Sequence, residues 1–128
     1  MRLLLDTHAF LWWLDGSRRL PKRARALISE EANIIFVSAA SAWEISTKSR
    51  LGKLPGAIDV AADLARIITA QAFTPLDITI LHAQRAGHLP GEHRDPFDRM
   101  LAAQAQIEDL PIISNDEAFA SFGVERIW

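Results

Sequence analysis

Apolar residues fall in two rhythms along the chain: short continuous runs, and longer stretches in which they return every three or four positions. The first rhythm suits strands buried on both faces, the second amphipathic helices. Arg2 to Leu5 forms a short apolar run, and Asp6 and Thr7 can cap the following helix, Thr7 to Asp15, which ends at Gly16. Leu20-Pro21 opens a second helical segment reaching about Glu31, with Pro21 in the first turn, where its missing N–H is harmless. Asn33 to Val37 is rich in β-branched and aromatic residues and reads as a strand ending at Ser38, a suitable cap for a helix that contains Glu44 and runs to about Arg50. Leu51 to Ala57, with two glycines and a proline, is a loop. Asp59 to Ala72 shows helical spacing at Val60, Leu64, Ile67 and Ile68, and Phe73 to Ile78 fits a short strand. A short helix over Thr79 to Gly87 leads into the polar loop Gly87 to Arg94. Asp95-Pro96 then starts a strong helix to about Glu108, because Asp caps, Pro suits the first turn, and Ala and Leu propagate. Leu110 to Ser114 reads as strand, Asn115 to Phe122 as short helix, and Val124 to Trp128 as a last strand.

Strands that alternate with helices imply a parallel sheet covered on both faces, a three-layer α/β/α architecture. The 128 residues suit one domain, spanning 1–128, large enough to bury a core without covalent staples. No cysteine is present, which excludes disulfides, thiolate zinc sites and thiol nucleophiles and fits a reducing cytosol. The apolar start is broken by Asp6 and lacks the small-residue cleavage site of a secretory signal, and no uncharged run approaches the roughly 18 residues of a membrane span. A soluble, cytoplasmic protein without membrane contact is expected. The net charge of -2 gives no global attraction for nucleic acid, so any such binding must use local patches or bound cations.

Candidate chemistry comes from four carboxylates, Asp6, Glu44, Asp98 and Asp116, which lie at or near points where an apolar run gives way to a helix. In an open parallel sheet the carboxyl ends of the strands share one edge, so Asp6 after the first strand and Asp116 after the fourth should face one crevice. Helix capping is the competing explanation for Asp6, Asp95, Asp98 and Asp116, since a carboxylate at a helix N-terminus accepts backbone N–H bonds and gains roughly 0.3 to 1 kcal/mol from the dipole. Glu44 resists that explanation: it sits mid-helix among Ala42, Trp43 and Ile45, in surroundings that look mostly buried, and a buried carboxylate needs a partner or a metal. Asp95 and Asp98 are three apart and share a helix face, so either can point inward; capping geometry favours Asp95 as the cap and leaves Asp98 free. Converging carboxylates repel, and a divalent cation relieves the repulsion, which suggests a hard-metal site acting on a phosphate ester.

Other motifs narrow the field. There is no GxGxxG, no phosphate-binding GK[ST] loop and no GxSxG elbow. His82, His88 and His93 are five or six apart and form no helical i, i+4 zinc pair, so surface or hydrogen-bonding roles are expected. His8, two after Asp6, either approaches the site or packs. Arg18, Arg19, Lys22, Arg23 and Arg25 crowd one stretch, either as a solvated helix face or as a contact for RNA phosphates or an acidic partner. Arg94 and Arg99 flank the acidic block and are candidates for substrate phosphates, although Arg99 can equally pair with an acid. Ala9 to Leu14 is apolar around most of the first helix, more than one core-facing stripe can cover, so Phe10, Trp12 and Trp13 belong either to the core or to a partner groove.

The segments LLLDTHAFLWWL, SAASAWEISTKSRLGKL, HRDPFDRMLAAQA and LPIISNDEAF resemble, in order and over nearly the whole chain, the four acid-bearing blocks of PIN-domain ribonucleases of the VapC type, toxins of bacterial toxin–antitoxin pairs. The DPFDRMLAAQA block is the most specific. The resemblance implies a PIN-like fold in which Asp6, Glu44, Asp98 and Asp116 bind Mg2+ or Mn2+, with Asp95 as a cap, a supporting group or an extra ligand. Ser114 stands where many relatives have threonine and keeps a hydroxyl beside Asp116; with Asn115 it is a further candidate for substrate contact. The implied activity is metal-dependent endoribonuclease, with an antitoxin segment laid against the first helix, a homodimer, and operator DNA bound only through the antitoxin. The competing readings are a PIN-fold nuclease of RNA processing or DNA cleavage, and a catalytically silent module that retains only antitoxin binding.

Overall fold

The computed structural model describes residues 1–93 and 95–128. The chain forms a five-stranded parallel sheet with strand order β3-β2-β1-β4-β5: β1 Arg2–Leu5, β2 Ile34–Ser38, β3 Thr74–Leu76, β4 Ile112–Ile113 and β5 Arg126–Ile127. Register is set by pairs such as Leu5 with Val37 and Leu5 with Ile113, which make β1 the central strand. Among the described residues eight α-helices surround it: α1 Thr7–Asp15, α2 Lys22–Ser29, α3 Ala39–Arg50, α4 Ile58–Ala61, α5 Leu64–Ala70, α6 Ile80–His88, α7 Pro96–Glu108 and α8 Ala118–Ser121.

Successive side chains of a strand point to opposite faces, and β1 uses this to feed two cores. Leu3 and Leu5 join Phe10, Leu20, Ala24, Ile45 and Ile113 on one face. Leu4 joins Leu101, Ala102, Ala105, Ile112 and Phe119 on the other. All three leucines are fully buried, as a central parallel strand requires. The expected three-layer arrangement is therefore present. Among the described residues no helix is long and apolar enough to cross a membrane.

Capping follows the chemistry of the sequence. Asp6 Oδ1 accepts from Ala9 N (2.7 Å), Ser38 Oγ from Ala40 N (2.9 Å), and Asp95 Oδ1 from Phe97 N and Asp98 N (2.9 and 3.1 Å). Gly16 closes α1 with φ +64°, a left-handed conformation that glycine takes without steric cost.

Three expectations need correction. The helix expected over Asp59 to Ala72 is two, α4 and α5, parted at Asp63, whose φ of −151° and ψ of 48° are not helical; its carboxylate pairs with Arg66 in the first turn of α5. The loop expected over Leu51 to Ala57 tightens at its end into a short 3-10 turn, Pro55–Ala57. Strand β3 is shorter than expected and contains Pro75, tolerable because β3 is an edge strand whose missing N–H need not face a neighbour.

Candidate active site

β1 lies between β2 and β4, so the chain leaves its carboxyl end in opposite directions and a crevice opens there. Asp6 follows β1 directly, and its backbone N–H bonds to Ile113 O of β4 at 3.1 Å. Asp116 follows β4 by three residues. Glu44 enters from the second turn of α3 and Asp98 from the first turn of α7. These four acids, with Asp95, Thr7, His8, Lys48 and Asn115, line one crevice of about 350 Å³. The carboxylates scattered through the sequence thus meet where the topology allows.

Each acid is held differently. Asp6 is almost wholly buried and caps α1, with the fully buried Ser114 beside it lowering the cost of its charge. Ser114 Oγ accepts from Asp116 N (2.9 Å), which fixes the backbone that presents Asp116 to the crevice. Asp116 Oδ1 accepts from Ala118 N (2.9 Å) at the start of α8. Glu44 is buried, with Oε1 accepting from the Thr7 hydroxyl and Oε2 bound by Lys48, both at 2.5 Å. Lys48 is one helical turn on, the spacing at which Glu and Lys meet. Asp98 Oδ2 lies 3.0 Å from His93 Nε2.

The electrostatics record the crowding. Burial, opposed in part by hydrogen bonds from Ser114 and Ala9, and reinforced by Glu44 and Asp116, raises Asp6 to about 6. Burial likewise raises Asp98 to about 6, against its bond from His93 and with the added repulsion of Asp95, Asp116 and Glu44. Burial works against the charge on Lys48, yet its bond and attraction to Glu44, with Asp95 and Asp98 behind, hold its pKa above the usual lysine value. One ammonium against five carboxylates leaves the crevice strongly negative. The donors are mainly hard oxygens around a small space, the chemistry that suits a Mg2+ or Mn2+ ion. Among the described residues, His93, Asp98 and Asp116 form a set whose donor atoms lie within 4.8 Å of one another, while Asp6 and Glu44 flank it.

Sequence reasoning missed Lys48 here and gave His93 only a surface or hydrogen-bonding role, without naming Asp98 as its partner. Lys48 carried a signal, its i+4 spacing from Glu44. His93 carried none beyond standing five before Asp98, because its approach depends on the path of the loop before α7. Other expectations change. Trp43 is 61% exposed, so the surroundings of Glu44 are buried on one side only; Trp43 packs edge-on against Phe97, with ring centres 5.0 Å apart. Arg99 does not reach the crevice as a phosphate contact: its guanidinium donates to the carbonyls of Ala86, His93 and Leu89, tying α6 and the loop to α7. Arg94 lies outside the described residues. Asn115 is exposed on the crevice wall, whereas Ser114 is enclosed.

The apolar residues of α1 also divide. Phe10 is fully buried and cannot contribute to a groove, because the core beneath α1 encloses it. Trp13 packs against Phe73 and donates its indole N–H to Gln71 (2.9 Å), which fixes it within the domain. Trp12 alone of the three lines an open groove, of about 370 Å³, with Leu11, Leu14, Arg19 and Val60, and His8 borders both this groove and the acidic crevice.

A parallel α/β/α sheet with acids gathered at its central carboxyl edge is the arrangement of a PIN domain, and the sequence profile of that domain matches residues 3–125. The chain belongs to the PIN-domain family, whose members are generally nucleases that use divalent metal. Comparison with curated proteins returned no match. Among solved structures, the chain is similar to VapBC2 from Rickettsia felis bound to a promoter DNA fragment, with TM-score 0.70, 16% identity and coverage of 99% of this chain and 98% of that one. VapBC-1 from nontypeable Haemophilus influenzae gives 0.68, 14%, 99% and 97%. FitAcB from Neisseria gonorrhoeae gives 0.62, 20%, 100% and 97%. At these identities the likeness is one of fold.

Proposed function

We propose that this protein is a metal-dependent endoribonuclease acting as the toxin of a VapBC-type toxin–antitoxin pair. The observation that carries the reading is the convergence of Asp6, Glu44, Asp98 and Asp116, from four separate elements, on one negative crevice. In this reading the four acids hold Mg2+ or Mn2+, and Asp95, committed to capping α7, supports Asp98 rather than ligating. A bound divalent ion supplies Lewis-acid stabilisation of charge on the phosphoryl oxygens and lowers the pKa of an attacking water. Lys48 fixes the rotamer of Glu44 and offsets part of the charge, Ser114 fixes the backbone that presents Asp116, and Asn115 presents an amide to the RNA strand at the mouth. Lys48, held in its charged form by its bond and attraction to Glu44, offers no free amine as a nucleophile, in keeping with hydrolysis by water.

The toxin assignment draws on the groove beside α1, where Leu11, Trp12 and Leu14 offer an apolar floor next to the crevice. An antitoxin segment laid there would also block access of RNA. The folds it resembles include VapBC proteins crystallised with promoter DNA, which fits a toxin that meets operator DNA only through its antitoxin. A homodimer acting in the cytosol completes the proposal.

The purified protein is expected to cleave RNA with Mg2+ or Mn2+ and to lose that activity in excess EDTA. Undiminished cleavage in EDTA would refute the mechanism. Expression of the chain alone should arrest bacterial growth and an antitoxin should restore it; an active nuclease without effect on growth would point to RNA processing instead.

A further inference from the structure

We infer that His93 is a nitrogen ligand of the metal site, and that the ion it favours is Mn2+ rather than Mg2+. The inference rests on the proposed metal site and adds a donor of a different kind to it. Three observations support it. Among the described residues, the donor atoms of His93, Asp98 and Asp116 all lie within 4.8 Å of one another, and the two aspartates line the crevice. His93 Nε2 and Asp98 Oδ2 are 3.0 Å apart, and two cis ligands of an ion bound at about 2.1 Å stand roughly 3.0 Å from each other. An ion can therefore enter between them in place of the shared proton with little movement of either side chain.

The imidazole is also held in place. Its ring meets Phe122 edge-on at 5.9 Å, and the His93 carbonyl accepts from Arg99, so both the ring and the backbone of the residue are anchored to neighbouring elements. His82, by contrast, is fully buried and commits both nitrogens elsewhere, Nδ1 to Thr79 N and Nε2 to Glu108, and His88 Nδ1 bonds within its own helix. Imidazole strengthens binding of Mn2+ over Mg2+, which prefers oxygen and retains its waters, although Mn2+ gains least of the first-row transition ions.

Affinity alone does not separate a ligand from a group that merely orients one, because losing such a partner also costs roughly 10- to 100-fold in metal affinity. The separating measurement is electron spin-echo envelope modulation of the protein loaded with Mn2+, which detects nitrogen bound to the ion. The wild type is expected to show imidazole nitrogen coupling, His93→Gln to lose it, and His8→Gln, which changes the histidine on the crevice wall, to keep it. Calorimetric titrations with Mn2+ and Mg2+ should show the Mn2+ preference falling by about tenfold or more in His93→Gln. Tight Mn2+ binding without nitrogen coupling in the wild type overturns the inference and leaves the carboxylate site standing. Coupling that disappears with His8 rather than His93 also overturns it. No Mn2+ binding at all would remove both the inference and the metal site beneath it.

Discussion

Asp95 and Asp98 share the first turn of α7 but carry different loads. Asp95 Oδ1 takes two backbone N–H groups, so Asp95→Ala should cost about 0.5 to 2 kcal/mol of stability while RNA cleavage persists below the melting transition. Asp98 makes no such cap, and its charge is resisted by burial and by three neighbouring acids. Asp98→Asn should therefore abolish most activity with melting temperature unchanged or raised. An inactive Asp95 variant beside an active Asp98 variant would reverse the assignment. Lys48 offers a second test, because removing it leaves Glu44 buried among like charges. Lys48→Ala is expected to lose roughly 1 to 3 kcal/mol at pH 7, and adding Glu44→Gln should restore much of it; urea denaturation of the single and double variants reads the coupling, and strict additivity would show that the pair does not matter. The sequence displayed the acids because acids at strand-to-helix junctions are visible in one dimension. It hid their partners: Arg99 stood beside the acidic block and looked like a phosphate contact, yet three carbonyls brought near by folding claim its guanidinium.

Elements were legible where one local rule decided them. α1, α3 and α7 begin at the expected caps because Asp6, Ser38 and Asp95 each present a side-chain oxygen to the free backbone N–H groups that follow. The break between α4 and α5 escaped notice because apolar spacing continues through it, while the backbone leaves the helical region at Asp63. α7 does two jobs: its first turn supports the site, and its body is buried between β1 and α6. Gln104 is the polar exception in that body, fully buried, accepting from the Ser38 hydroxyl (2.5 Å) and donating to Asp77 O (3.3 Å). Through it the end of β2 is tied to the segment before α6. Gln104→Ala should cost about 2 to 4 kcal/mol, from the cavity and the stranded Ser38 hydroxyl. Because Asp98 lies nearly two turns away, metal affinity of the folded variant should match wild type; a loss of affinity equal to that of Asp98→Asn would show that the two ends of α7 are not independent.

For the whole molecule, the negative crevice makes stability depend on pH and metal together. Asp6 and Asp98 keep their protons to about pH 6 when folded, against an ordinary 3.8 when unfolded. Between those values the folded chain binds protons that the unfolded chain has released, so these groups make the metal-free protein more stable as pH falls through 6, with the effect complete near the unfolded value. From pH 7 to 5 the gain should be roughly 1 kcal/mol for each group. A divalent ion reverses the trend, because it binds only the deprotonated acids. With Mn2+ at a hundred times its dissociation constant the protein should gain about 2.7 kcal/mol at pH 7, and this increment should shrink as pH falls below 6. Urea denaturation at pH 5, 6 and 7, in EDTA and in Mn2+, measures both slopes. Other titrating groups also contribute to the slopes, so the Asp6→Asn, Asp98→Asn double variant supplies the baseline. In that variant the metal-free slope should flatten and the response to Mn2+ should vanish. If wild type and double variant follow the same pH dependence in EDTA, the two buried carboxylates are not the groups whose repulsion the metal relieves.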